Sequence, residues 1–220
     1  MARGRHPTRI RIAPPDEQTA AKYLRFWRGI DLHHEPQRFP GLTSPEMFGN
    51  GNPLEIDFGC GTGALLCERA QRFPNVNFIG IDKSQKPLFC AVRQAAAADA
   101  GNVTFIRGDF GAMLALLRRD TVSRAYYLFP NPPDDYDNKR ANGRRRRFLE
   151  AAYNSLTAGG QFYFATDSER FFQNMKDIVK IDLKFQMVGL EFNEEEISSK
   201  YLHLWREKGR VVMGLTVEKK

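Results

Sequence analysis

Disulfides, metal centres and membrane spans are all poorly provided for in these 220 residues. The three cysteines, Cys60, Cys67 and Cys90, are odd in number and lack zinc-ligand spacing. They read as ordinary thiols of a reducing cytosol, which gives a cytoplasmic expectation. His6, His33, His34 and His203 form no metal motif, so no metal is expected. No apolar run is long enough to span a bilayer, and the start has no signal-type apolar core. Acids are missing before Asp16, where Arg3, Arg5, Arg9 and Arg11 precede Pro14-Pro15. That arm is suited either to touching phosphates or simply to being solvated.

What is present points to a folded, basic protein. Hydrophobic residues make up 42% of the chain, including 17 Phe, enough for a substantial core. The formal net charge is +7, with the basic residues clustered, which favours a polyanionic partner such as nucleic acid.

A short helix is expected over 17–29, with Tyr23, Phe26 and Trp27 in the core rather than stacked on bases. Prolines at 36, 40, 45 and 53 mark an irregular connector. An N-terminal arm with its helix over 1–50 and a main domain over 51–220 follow from this. From Leu54 the pattern alternates: LEIDF, VNFIGID, VTFIRGD, AYYLF and QFYFATD read as strands. Helices are expected over 63–73, 85–99, 111–118, 144–156 and 168–180, with late strands near 184–190 and 210–218. Alternation of this kind predicts an α/β fold, a parallel sheet covered on both faces.

Ligands of such sheets bind at the carboxyl ends of the strands. The first strand ends in EIDFGCGTG, where Gly59, Gly61 and Gly63 let the backbone turn and approach a ligand. Glu55 and Asp57, two apart on a strand, project to one face beside that loop. The second strand ends in Asp82, suited to ribose hydroxyls, and the third in Asp109, suited to an adenine amino group. A GxGxxA spacing (Gly59, Gly61, Ala64) raises a nicotinamide enzyme. Against it, three successive strand-end acids suit a sulfonium cation better than a pyrophosphate.

DFGCGTG followed by GID and GDF resembles the class I S-adenosylmethionine-dependent methyltransferases over about residues 50–218. The resemblance implies a Rossmann-like, doubly wound fold with a mostly parallel seven-stranded sheet and an antiparallel strand near the C-terminus. It also implies S-adenosylmethionine as cofactor, held by Glu55 or Asp57, Asp82 and Asp109, with Gly59, Gly61, Gly63, Lys83, Phe110 and Asn131 around it.

Two families compete for the fourth strand end. Asn131-Pro132-Pro133 matches three positions of the D/N-P-P-aromatic clamp of amino-directed methyltransferases, but Asp134 stands where the aromatic belongs. The tRNA (guanine-N7)-methyltransferase family, with FPDPWPK, a basic run and a helix, then GG, TD and T-x-Y-E, is matched at more points. Phe129-Pro130-Asn131-Pro132, then Lys139, Arg140 and Arg144 to Arg147, Gly159-Gly160, Thr166-Asp167 and Ser199-Lys200-Tyr201 resemble it in order. The resemblance implies that Asn131 and Asp167 position the base. Lys139, Arg140, Arg144, Arg145, Thr166, Ser199 and Tyr201 would bind tRNA or another structured RNA. Asp167 is alternatively a helix cap, and the arginines alternatively a solvated basic face. Four arginines at a helix start also oppose the helix dipole, an arrangement that phosphates would relieve.

The chain departs from that family at Asn131 (Asp in the pattern), Pro133 (Trp), Asp135 (Lys) and Leu202 (Glu). The expected function is tRNA methylation at guanine N7. The alternatives are an amino-directed methyltransferase and a non-catalytic RNA-binding homologue, and monomer and homodimer both stay open.

Overall fold

A computed structural model describes residues 10–133, 138–181, 185–187, 207, 209 and 211–220. The chain begins with α1 (Glu17–Tyr23), capped by Asp16, whose carboxylate accepts from the Thr19 N–H at 2.8 Å. It then runs straight into a short strand, β1 (Leu24–Phe26). Next come α2 (Gly29–His34), α3 (Ser44–Phe48), β2 (Leu54–Phe58) and α4 (Ala64–Arg72). They are followed by β3 (Asn77–Asp82), α5 (Gln85–Ala97), β4 (Val103–Arg107) and α6 (Phe110–Met113). The remainder is β5 (Val122–Leu128), α7 (Lys139–Ser155), β6 (Leu156–Thr166), α8 (Glu169–Ile181), β7 (Phe185–Met187) and β8 (Met213–Lys219).

The strands form one sheet in the order β1-β4-β3-β2-β5-β6-β8-β7. All neighbours pair in parallel except β8, which is antiparallel to both β6 and β7. The expected seven strands are β2 to β8, and β1 adds an eighth at the edge, against β4. Strand order reverses direction between β2 and β5, so the crevice at their carboxyl ends is where a ligand belongs.

β2 is buried along its whole length, as a central parallel strand must be. Its Ile56 and Phe58 face one apolar layer with Phe148, Leu149, Phe164 and Phe171. The other layer is built from Leu66, Phe78, Leu88, Val92 and Phe105, with Tyr23 of α1 packed into it. Trp27, Leu32 and Leu42 also lie in the core, so the segment before residue 50 is joined to the sheet and its packing.

Two expectations are corrected here. The helix expected over 17–29 ends at Tyr23, and strand geometry turns alternate side chains in opposite directions. Tyr23 and Trp27 are buried, but Phe26 is 59% exposed instead of lying in the core. The helix expected from residue 144 begins at Lys139, because Asn138 caps it, accepting from the N–H groups of Arg140 (2.9 Å) and Ala141 (3.2 Å). Arg144 to Arg147 therefore lie in the second and third turns. The argument from the helix dipole applies only to Lys139 and Arg140, which stand in a first turn without an acid.

Candidate cofactor and nucleic-acid site

The turn after β2 is built by three glycines with positive φ: 95° at Gly59, 55° at Gly61 and 68° at Gly63. The N–H groups of Gly59 and Cys60 both donate to the Ile81 carbonyl, at 2.8 and 3.1 Å, which pins the loop to β3. A methyl group on Gly63 would meet Ala91 Cβ at 2.6 Å and the Phe105 ring at 2.8 Å, so α5 and β4 close over that residue. At Gly59 a methyl group would meet nothing within 4 Å. Open space thus lies beside the tightest part of the loop.

Asp57 stands at this opening. It is buried, and its Oδ1 has no hydrogen-bond partner among the described residues. Burial, reinforced by the neighbouring Asp82 charge, pushes its carboxyl up to about 8. Desolvating a carboxylate without a partner is costly, so this position suits a ligand that brings positive charge. Asp82 is half-buried; Oδ2 accepts from the Gly61 N–H at 2.9 Å and Oδ1 from the Ser84 N–H at 2.6 Å. Each of its oxygens has a second lone pair for a hydroxyl. Asp109 caps α6 through the Gly111 N–H at 2.7 Å and is exposed. Phe110 beside it packs edge-on to Phe58 and Tyr127, with ring centroids at 5.7 and 5.6 Å. Lys83 is exposed at the end of β3.

Glu55 has a different place. Arg69 Nε and an Nη each donate to its carboxylate at 2.7 Å, and the Tyr126 hydroxyl donates at 2.8 Å. The ion pair is buried and ties α4 and β5 to β2, one pleat below the opening. Sequence reasoning grouped Glu55 with Asp57 and passed over Arg69 and Tyr126. A signal was available, since Arg69 sits on the apolar stripe of Leu65, Leu66 and Ala70, and a charge there needs a buried partner.

The next two strand ends are brought together by register, Leu128 of β5 pairing with Ala165 of β6. Phe129 has φ 50° and donates its N–H to the Ala165 carbonyl at 2.7 Å, which turns the chain out toward Asn131. Asn131 is exposed and Asp167 half-buried, one beyond each strand. Thr166 is fully buried, its Oγ1 accepting from the Ser168 N–H at 3.1 Å, so its side chain shapes the turn. Ser168 caps α8, its Oγ accepting from the Phe171 N–H at 3.3 Å.

Along α7, Phe148, Leu149 and Ala152 face the core, which leaves Lys139, Arg140, Arg144, Arg146 and Arg147 exposed. Arg140, Arg144 and Arg147 fall at i, i+4 and i+7, a single basic stripe. Arg146 is paired with Glu150 at 2.9 Å. Arg145 is half-buried on the inner side and donates to Asn142 Oδ1 at 2.6 Å, which also accepts from Asn174 of α8 at 3.1 Å. Its charge opposes the burial that pushes the Tyr127 hydroxyl to about 12. Ser199, Tyr201 and Leu202, with residues 134–137, lie outside the described residues. No cluster of metal ligands occurs among the described residues, and no helix there is long and apolar enough to cross a membrane. A cleft of about 460 Å³ lined by Asn50, Asn77, Asp99 and Asn102 lies at the amino ends of the strands, away from this site.

Residues 51–215 match the family described as "Putative methyltransferase". A tRNA (guanine-N(7)-)-methyltransferase of Rubrobacter xylanophilus is 35% identical over 93% of both chains. The chain belongs to this methyltransferase family. A tRNA (guanine-N(7)-)-methyltransferase of Chloroherpeton thalassium is also 35% identical, over 99% of this chain and 98% of its own. Among solved structures, the 16S rRNA methyltransferase KamB shares the fold at TM-score 0.59 and 12% identity, covering 78% of this chain and 90% of its own. The aminoglycoside resistance methyltransferase NpmB1 does so at 0.57 and 18%, covering 81% and 94%. The Rossmann-like class I methyltransferase fold expected from DFGCGTG is therefore the fold observed.

Proposed function

We propose that this protein transfers a methyl group from S-adenosylmethionine to N7 of a guanine in tRNA. One juxtaposition carries the reading: a buried acid with no partner for its Oδ1 among the described residues stands near the end of β2, and a basic helix follows the adjacent end of β5. The names of the relatives supply the target atom. The residues fit the cofactor: the Asp57 Oδ1, without a partner among the described residues, suits its cationic amino-acid portion, and the space at Gly59 admits it. Asp82 would take the ribose hydroxyls and Asp109 the adenine amino group, with Gly61, Gly63, Lys83 and Phe110 around them.

When bound, the cofactor supplies a methyl group on a sulfonium; the nitrogen–carbon bond forms as the carbon–sulfur bond breaks, and positive charge moves to the purine. Guanine N7 carries a lone pair and no proton, so no side chain of this protein needs to act as a base. The protein's task is to orient the base and stabilise the charge that develops on it. Asp167 would accept from the guanine Watson–Crick edge and stabilise that charge, while Asn131 positions the base from the neighbouring strand end. Lys139, Arg140, Arg144 and Arg147 would hold phosphates, and release of counterions would add affinity. Arg145, on the inner side of α7, would lie closer to the base than to the backbone. A tRNA substrate and the free thiols of Cys60, Cys67 and Cys90 accord with a cytoplasmic enzyme.

The test is to incubate the protein with bulk tRNA and methyl-labelled cofactor, digest the RNA and identify the labelled nucleoside. Label in 7-methylguanosine is expected. Label in N6-methyladenosine would place the chain among the amino-directed enzymes. Tight, salt-sensitive tRNA binding without label would make it an RNA-binding homologue.

A further inference from the structure

The arginines of α7 stand on the β5 side of the crevice, but a second polar-aromatic surface stands at the opposite edge of the sheet. Phe26 ends β1, and its ring is 59% exposed although Tyr23 and Trp27 on either side are 2% and 7% exposed. The segment is therefore anchored, and Trp27 adds a backbone bond to the Arg107 carbonyl at 3.1 Å. A large ring held in water by a fixed backbone leaves apolar area uncovered at a cost, which a binding partner would offset.

The ring's surroundings identify the partner. Phe26 pairs in register with Arg107, and Arg107 with Asp82, so the three side chains lie in one row on one face at the carboxyl end of the sheet. The Arg107 guanidinium lies 4.7 Å from the centroid of the Phe26 ring. Arg25 is exposed on the opposite face of the strand, donating to the Ala21 carbonyl at 2.6 Å. Arg28 is paired with Asp31, and Lys22 with Asp99. The ring and the Arg107 guanidinium against it thus offer a stacking face and a cation together, which suits a base with its phosphate. The other exposed large hydrophobic side chains among the described residues are Ile30, at 59%, and Val211, at 76%. One ring falls far short of the roughly 800 Å² per partner of a stable protein interface. It matches one nucleobase in size, and bases stack on aromatic side chains whatever their sequence.

We infer that Phe26, backed by Arg107, is a stacking platform for an unpaired nucleobase of the RNA substrate, remote from the methylated guanine. This rests on the proposed RNA methyltransferase function. The platform would be sequence-tolerant, since every base has a π-face, and would help to set the orientation of the RNA across the carboxyl end of the sheet.

Equilibrium binding of labelled bulk tRNA at several salt concentrations tests it, with S-adenosylhomocysteine calorimetry alongside. F26A is expected to weaken tRNA binding by at least fivefold with the salt slope unchanged, and F26W to stay within about twofold of wild type. R107Q is expected to weaken binding and lower the slope by about one. All three should bind S-adenosylhomocysteine as the wild type does. Wild-type tRNA affinity in F26A would overturn the inference alone. A loss of S-adenosylhomocysteine affinity in F26A would assign the ring to the cofactor, and a changed mass of free F26A in solution would assign it to contacts between copies. A wild-type protein that binds no tRNA would overturn both this inference and the function it rests on.

Discussion

Asp57 offers a quantitative test of the cofactor end. Its carboxyl is pushed up to about 8 by burial and by Asp82, against an ordinary value of 3.8. At pH 7 most molecules of the free protein therefore carry it protonated. A ligand whose ammonium group faces Asp57 favours the carboxylate, so binding must release the proton. With a starting value of about 8, the proton release at pH 7 should be about 0.9 per ligand, and affinity should rise about 20-fold from pH 6 to pH 7.5. Calorimetry with S-adenosylhomocysteine in two buffers of different ionisation enthalpy measures both quantities within a window where the ligand's own amino group stays charged. D57N should weaken binding and abolish most of the pH dependence. The same raised value means that ionising Asp57 costs folding stability as pH rises from about 4 to 8, so D57N should also flatten the ligand-free stability profile there. A wild-type affinity that does not change with pH, or a D57N variant that keeps the full dependence, would refute the reasoning.

Other variants probe the frame and the RNA side. Y126F removes a hydrogen bond to the buried Glu55 carboxylate and should cost about 1.5–3 kcal/mol in thermal or denaturant unfolding. R69M, which leaves that carboxylate buried without its cation, should cost about 3–5 kcal/mol. G63A combines a left-handed backbone with a Cβ 2.6 Å from Ala91, and should cost about 2–5 kcal/mol along with affinity for S-adenosylhomocysteine. Replacing Arg140, Arg144 and Arg147 together with Gln should lower the salt slope of tRNA binding by about three and leave S-adenosylhomocysteine affinity unchanged.

The cofactor end was legible because its signals are local. A glycine-rich turn and an acid at each strand end are contiguous in the sequence, and strands that are buried on both faces announce themselves as apolar runs. The Glu55–Arg69–Tyr126 contact was hidden because its partners are 14 and 71 residues apart, and only the folded register shows which acid remains open. The start of α7 was missed because Asn138 lies in a polar run, DYDNKR, where one cap residue looks like any other. Phe26 was misjudged because a three-residue strand is too short to display its period, so a helical reading placed the ring inside. In each case the missing information was tertiary, a partner or a direction that no neighbouring residue encodes.

The central claim concerns one atom, N7 of guanine. The most direct measurement compares methyl transfer to an unmodified tRNA transcript with transfer to the same transcript made with 7-deazaguanosine, in which a C–H group replaces N7. The account predicts transfer to the first and none to the second. Equal label in both would contradict it, because a methyl group would then be reaching a different atom.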